Sequence, residues 1–276
     1  MPRLSKLLRI LILAFSLIPA HAYSFSPELE HIITLTKSRA TLGQSAVLLM
    51  DLDETVIDSH HRKFSAYQKA IRELCVEPAD SALPSASSDC EKAQGLALQD
   101  IYGAVNGYSQ AELMGKLGIT DPMFIKRLFD LRRRYEGSSE FFYQDTLMPG
   151  ASTFIRSIKN AGGVIYFVSS RGMNEVGEAT YEELIRLGIL TDLEKDFVVL
   201  RKTGQDSVVF KRESAELIRG QVESLGQSVV ALFENEPGNL SAWAGVFVDA
   251  QPFFITGNFV ADAPLPARSH VISTYR

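Results

Sequence analysis

Two aspartates spaced i, i+2, Asp51 and Asp53, stand at the end of an unbroken apolar run, Ala46 to Met50. Buried carboxylates are costly unless paired or bound to a cation, so this spacing points to a metal site or a paired network. Two further apolar runs also end in polar groups. Residues 164–168 lead into Ser169-Ser170-Arg171, and residues 228–233 into Glu234-Asn235-Glu236-Pro237. Lys211 falls near the start of the helix before the last of these runs, with Lys202 as the competing cation. Together these residues supply a carboxylate nucleophile, a second carboxyl, a hydroxyl donor, a cation and an acidic cradle. Phosphoryl transfer needs those parts, because its catalysis is mostly positioning and charge neutralisation. A carboxylate can form a covalent aspartyl-phosphate and split the displacement into two steps. Ligands that are all oxygen suit Mg²⁺.

Short apolar runs bounded by polar residues fit strands buried on both faces, as in a parallel sheet covered by helices. Ligands of such sheets lie beyond the carboxyl ends of the strands, where Asp51, Ser169 and Glu234 fall. Ser26-Pro27-Glu28 opens a helix to about residue 39, with Pro at N1 and acids in the first turn. Helices over 151–161, 174–187 and 210–225 alternate with strands at 164–168, 197–200, 228–233 and 245–249. This alternation predicts a doubly wound parallel α/β sheet with right-handed crossovers. Residues 257–276 give no clear element. The core is expected to comprise 23–59 and 147–276, interrupted by an insertion over 60–146. That insertion reads as helical at 61–75, 89–104, 109–117 and 121–135, with Ser109 and Thr120-Asp121-Pro122 as helix starts. It is expected to cap the strand-end carboxylates.

The order of these pieces resembles the haloacid dehalogenase (HAD) superfamily of phosphohydrolases. Asp51-Leu52-Asp53-Glu54-Thr55-Val56 is similar to its first motif, and the resemblance covers most of residues 45–250. It implies that Asp51 is the nucleophile, Asp53 the general acid and base, Ser169 the phosphoryl-holding hydroxyl and Lys211 the third-motif lysine. From their place after the strand, Ser170 and Arg171 could contact phosphate or substrate, with an exposed turn arginine as the equal reading of Arg171. Mg²⁺ would be bound by the Asp51 side chain and the Asp53 main-chain carbonyl. The fourth motif departs from the family, which usually presents aspartates there. Asn235 takes the usual ligand position beside Glu234, with Glu236 able to compensate for the missing charge. The expected reaction is hydrolysis of a small phosphomonoester. A dehalogenase, a phosphomutase, a phosphonatase and a non-catalytic binding protein are the alternatives on the same scaffold. Asp53 argues against the dehalogenase, and no imine-forming lysine in the insertion stands out for the phosphonatase.

Residues 1–22 read as a secretory signal peptide. Arg3, Lys6 and Arg9 precede an apolar segment, and Ala20-His21-Ala22 supplies a cleavage site after Ala22. The apolar stretch is short of the ~20 residues a membrane-spanning helix needs; retention as an uncleaved anchor is the alternative. The protein is expected in the periplasm or secreted, with no membrane attachment after cleavage. Without the leader's three basic residues the net charge falls from −5 to −8, which offers nucleic acid no electrostatic footprint. Arg132-Arg133-Arg134 reads as a solvated helix face. No Gly-rich nucleotide loop is present. Cys75 and Cys90 fit a disulfide in an exported chain, closing a loop rich in Pro, Ser, Ala and Asp; two thiols or a metal pair are the other readings. His60-His61 could touch substrate, but without a spaced third ligand they make a weak zinc site.

Overall fold

The computed structural model describes residues 24–76, 88–103, 110–257 and 263–276. The leader, Ser109 and nearly all of the Pro/Ser-rich loop lie outside these residues. A six-stranded parallel sheet forms the centre, in the order β5-β4-β1-β6-β7-β8. Strand β1 (Ala46–Met50) is buried at every position. It pairs with β4 (Val164–Gly172) on one side and β6 (Ser228–Glu234) on the other. Beyond them lie β5 (Val198–Arg201), β7 (Gln251–Ile255) and β8 (His270–Ile272). The strand order reverses direction at β1, and that switch point is where such sheets open a crevice.

Alternation along β1 divides the core. Ala46, Leu48 and Met50 pack with Leu29 and Ile32 of α1 (Pro27–Thr41) and with Phe154 and Ile158 of α7 (Ala151–Asn160). Val47 and Leu49 face Phe210 and Ile218 of α9 (Ser207–Ser224) and Trp243 of α10 (Pro237–Val246). Helix α8 (Met173–Arg186) joins β4 to β5. The expected strand at 245–249 is corrected here: α10 runs to Val246 and the strand begins at Gln251. Residues 237–246 are apolar nearly all round, so helix and strand are hard to tell apart by pattern. Strand β8 also escaped the reading, because three residues carry too little periodicity.

The insertion leaves and re-enters the core through a short antiparallel pair, β2 (Ile57–Asp58) with β3 (Thr146–Leu147). Between them run α2 (His60–Cys75), α3 (Ser88–Gln94), α4 (Leu98–Gly103), α5 (Gln110–Lys116), α6 (Pro122–Glu136) and a 3-10 turn, Ser139–Gln144. The single helix expected over 89–104 is in fact α3 and α4, parted at Gly95. Tyr67, Ala70, Ile71 and Leu74 line one face of α2 and pack on Phe124 and Leu128 of α6, a separate apolar cluster. Cys75 and Cys90 are disulfide-bonded, 15 residues apart. Closing a loop of that length stabilises by ~3 kcal/mol in the chain-entropy account. Among the described residues no helix is long and apolar enough to cross a membrane.

Tyr275 packs into the core beside the sheet. Tyr275 is fully buried between Phe154 and Phe233, and its amide donates to Pro149 at 2.9 Å. Gly150, at φ 87°, lies so close that a side chain there would collide with the Tyr275 carbonyl. Among the described residues the Tyr275 hydroxyl has no hydrogen-bond partner. A buried unsatisfied hydroxyl costs about 1–3 kcal/mol, so Tyr275→Phe is expected to stabilise the protein by about 1 kcal/mol. Chemical denaturation checks this, and a lower midpoint for the variant would mean that the hydroxyl has a partner.

Candidate active site

The chain leaves β1 at Met50, but the Asp51 amide still donates to Phe233 of β6 at 2.9 Å. The nucleophile candidate is therefore held by the sheet itself. The backbone then folds tightly on the Leu52 carbonyl, which accepts from Val56 and Ile57 at 2.8 Å each. Glu54 takes a positive φ of 60° in this turn. A non-glycine residue is disfavoured there, and contacts to its carboxylate from Ser59 at 2.5 Å and Lys63 at 3.0 Å offset that.

Lys211 arrives from α9 into the crevice with no exposed surface. Its Nζ donates to Asp51 Oδ1 at 2.5 Å, Glu234 Oε2 at 2.7 Å and the Val168 carbonyl at 2.7 Å. It also sits 4.5 Å from the Trp243 ring centre, and the Trp243 indole donates back to the Lys211 carbonyl at 3.0 Å. Burial works against the ammonium, yet Asp51 and Glu234 outweigh it and hold Lys211 above the ordinary lysine value. Burial pushes Glu234 up to about 8, with the Asp51 charge adding to the effect. Asp51 is likewise raised by burial, with Lys211 opposing. One buried ammonium cannot neutralise two carboxylates, so the group favours either a retained proton or a cation.

Asp53 lies in a different network. Arg171 grips it with two bonds, Nε to Oδ2 at 2.9 Å and Nη2 to Oδ1 at 2.8 Å, and Arg62 of α2 also donates to Oδ1. Burial would raise Asp53, but Arg171 and Arg62 hold its carboxyl well below the usual aspartate value. The same arginines reach Asp145, at 3.3 and 3.1 Å, and Arg171 also pairs with Glu183 of α8. Both guanidinium groups lie over the Phe142 ring, at 4.5 and 4.7 Å. Burial, against the pull of Arg62 and helped by neighbouring Glu183, pushes Asp145 up to about 9. At neutral pH Asp145 therefore keeps its proton, and two guanidinium charges balance Asp53 and Glu183. This network ties the insertion to the core.

Ser169 is buried at the end of the β4 ladder, and its hydroxyl accepts from the Arg171 amide at 3.3 Å. The neighbouring Ser170 hydroxyl is 2.5 Å from that of Ser207, the first residue of α9. Both Glu234 oxygens are engaged, Oε2 by Lys211 and Oε1 by the amides of Asn235 and Glu236 at 3.0 Å each. The Asn235 side-chain oxygen accepts from Thr55 at 3.1 Å. Asp51, Asp53, Ser169, Arg171, Glu234 and Asn235 all line one cavity of about 710 Å³. Of the two candidate lysines Lys211 is buried at the site, whereas Lys202 stands exposed at the cavity wall.

His60 pairs with two carboxylates, Asp58 at 2.5 Å and Glu54 at 3.3 Å, and stacks on Tyr102. These three are a compact group of potential metal-binding atoms. Lys63, bonded to Glu54, already brings a cation to it. His61 is exposed.

No protein-family model matches the chain, and no curated protein matches it. Solved structures do. A putative phosphatase from Clostridium difficile aligns over 84% of this chain and 95% of its own, at 9% identity and a TM-score of 0.52. The likeness is one of fold. A haloacid dehalogenase-like family hydrolase from Streptococcus pneumoniae aligns over 82% of this chain and 92% of its own, at 14% identity and a TM-score of 0.48. Arg62, Phe142, Asp145 and Glu183 were not visible as site residues in the sequence: Arg62 and Glu183 are single charged positions in helices, and Phe142 and Asp145 lie in and just after the short turn Ser139–Gln144, with no motif around them.

Proposed function

We propose that this protein is an exported, Mg²⁺-dependent phosphatase of the HAD type, acting on small phosphomonoesters. The observation that carries the reading is the buried Lys211 ammonium bridging Asp51 and Glu234 at the carboxyl end of the central strand. A carboxylate fixed beside a buried ammonium, with a serine hydroxyl at the next strand end, suits attack on phosphorus and neutralisation of the phosphoryl oxygens. An Asp51 oxygen forms a bond to phosphorus as the P–O bond to the leaving group breaks. Asp53 gives its proton to the departing oxygen. Water then attacks the aspartyl-phosphate, passes a proton to Asp53, and frees Asp51 as the P–O bond to it breaks. The two arginines keep Asp53 in the carboxylate form, which the water step uses; an arriving phosphate's charge favours the protonated form needed first.

The oxygen donors fit Mg²⁺. The Asp51 carboxylate, the Asp53 carbonyl and the Asn235 amide would hold it, with Glu234 supporting from the Lys211 side. When bound it would neutralise phosphate charge. The helical insertion would act as a cap, since Arg62, Lys63 and Phe142 form part of the cavity wall. The leader and the Cys75–Cys90 bridge support an oxidising compartment such as the periplasm.

Hydrolysis of p-nitrophenyl phosphate by residues 23–276 tests this. Turnover with Mg²⁺ that stops in EDTA and returns with added Mg²⁺ is expected. A folded protein inactive with every divalent metal would point to a binding role instead.

A further inference from the structure

The cavity lining carries a second charge pattern besides the Asp51 cluster. Arg132-Arg133-Arg134 does not behave as one solvated face. Arg132 is buried and paired with Glu136, and Arg134 pairs with Glu73 at 3.0 Å. Arg133 alone of the three lines the cavity. It makes no ion pair among the described residues, and its guanidinium lies over Phe129 at 4.5 Å. On the core side of the same cavity, Lys202 is exposed, and its side chain has no partner among the described residues. Arg201 beside it donates, among the described residues, only to carbonyls, of Ser170 at 2.9 Å and Gln205 at 2.7 Å.

Three further lining acids are already engaged. Glu136 is tied to Arg132, Glu175 accepts from Thr203 at 2.7 Å, and Asp206 caps α9 by accepting from Val209 at 3.0 Å. The lining cations Arg133 and Lys202 are thus less compensated than these acids. Apolar recognition is also poorly provided for. Phe142 is the only aromatic ring among the described lining residues, and the Arg62 and Arg171 guanidinium groups cover it.

Resting on the phosphatase reading above, we propose that the substrate's leaving group carries a second anionic group, a carboxylate or a second phosphate, held by Arg133 of the insertion and Lys202 of the core. Arginine and lysine on opposite partners of the cavity would read that group when a substrate of the right length bridges them to Asp51. A bare nucleobase or aryl leaving group finds no open stacking surface there.

The test compares kcat/KM in Mg²⁺ for pairs that differ in the leaving-group anion. Glycerol 3-phosphate against 3-phosphoglycerate reads a carboxylate, and fructose 6-phosphate against fructose 1,6-bisphosphate reads a second phosphate. The anionic member of at least one pair is expected to be preferred roughly tenfold, the scale of one charge-assisted contact at a partly screened site. The preference should shrink as salt is raised. Arg133→Gln and Lys202→Gln, both at exposed positions, are expected to lower that ratio several-fold through KM. Equal rates within both pairs, or a ratio unmoved by either substitution, would overturn the proposal while the phosphatase reading stands. A wild-type protein inactive on every phosphomonoester would overturn both.

Discussion

Asp51→Asn is expected to abolish turnover, by a factor on the order of 10⁴–10⁶, and to leave the chain folded. An amide oxygen is a far weaker nucleophile than a carboxylate, and among the described residues Asp51 is the carboxylate that both follows the central strand directly and is bonded to the Lys211 ammonium. The fold should survive because the amide is nearly the same shape. The Asp51 backbone bond to Phe233 does not depend on the side chain. Lys211 would keep Glu234 and the Val168 carbonyl, each at 2.7 Å, so its charge is not orphaned. With the Asp51 charge gone, Glu234 loses one of the causes that raise it and ionises more readily beside Lys211. The melting temperature should therefore move by only a few degrees. Steady-state rates with Mg²⁺, thermal melting and acid-stable phosphoprotein trapping check the three parts. Phosphorylated enzyme forming in the variant at the wild-type level would assign the nucleophile elsewhere.

What was legible in the sequence follows from how its signals are spread. The apolar run before Asp51 is long enough to mark a buried strand, and Ser169 and Glu234 close two more such runs. The strand order could therefore be expected to bring them to one edge, and it does. Lys211 was separable from Lys202 only by its place near a helix start; burial distinguishes them outright. Strands β2 and β3 were not legible, because two-residue strands have no periodicity, yet they bring the insertion's two ends together. The Asp53 network was hidden for another reason. Arg62, Asp145, Arg171 and Glu183 are spread over 122 residues of sequence and look like ordinary surface charges until folding buries them together. Arg171 was expected to meet substrate or phosphate, and the structure has it gripping Asp53.

Arg171→Met is expected to lower stability by about 3–5 kcal/mol, because removing one partner strands buried opposite charges. Methionine fills much of the same volume, so the loss is mainly electrostatic. Among the described residues Glu183 would keep the neighbouring Asp145 carboxyl and the distant Arg186 contact at 3.9 Å, and Asp53 would keep its ion pair with Arg62. For a chain of this size that corresponds to a fall in melting temperature of roughly 10 °C. The pH dependence gives the cause away. In the wild type Asp53 is lowered in the folded state, so its contribution is present above the ordinary aspartate value near 3.8 and is lost on further acidification. The variant lacks most of that contribution. The gap between wild type and variant should be full at pH 7 and narrow towards pH 3. Adding Glu183→Gln to Arg171→Met should recover part of the loss at pH 7, since a neutral amide no longer needs the guanidinium. A gap that stays constant with pH would instead mean that Arg171 stabilises through its packing on Phe142, with the carboxylates contributing little.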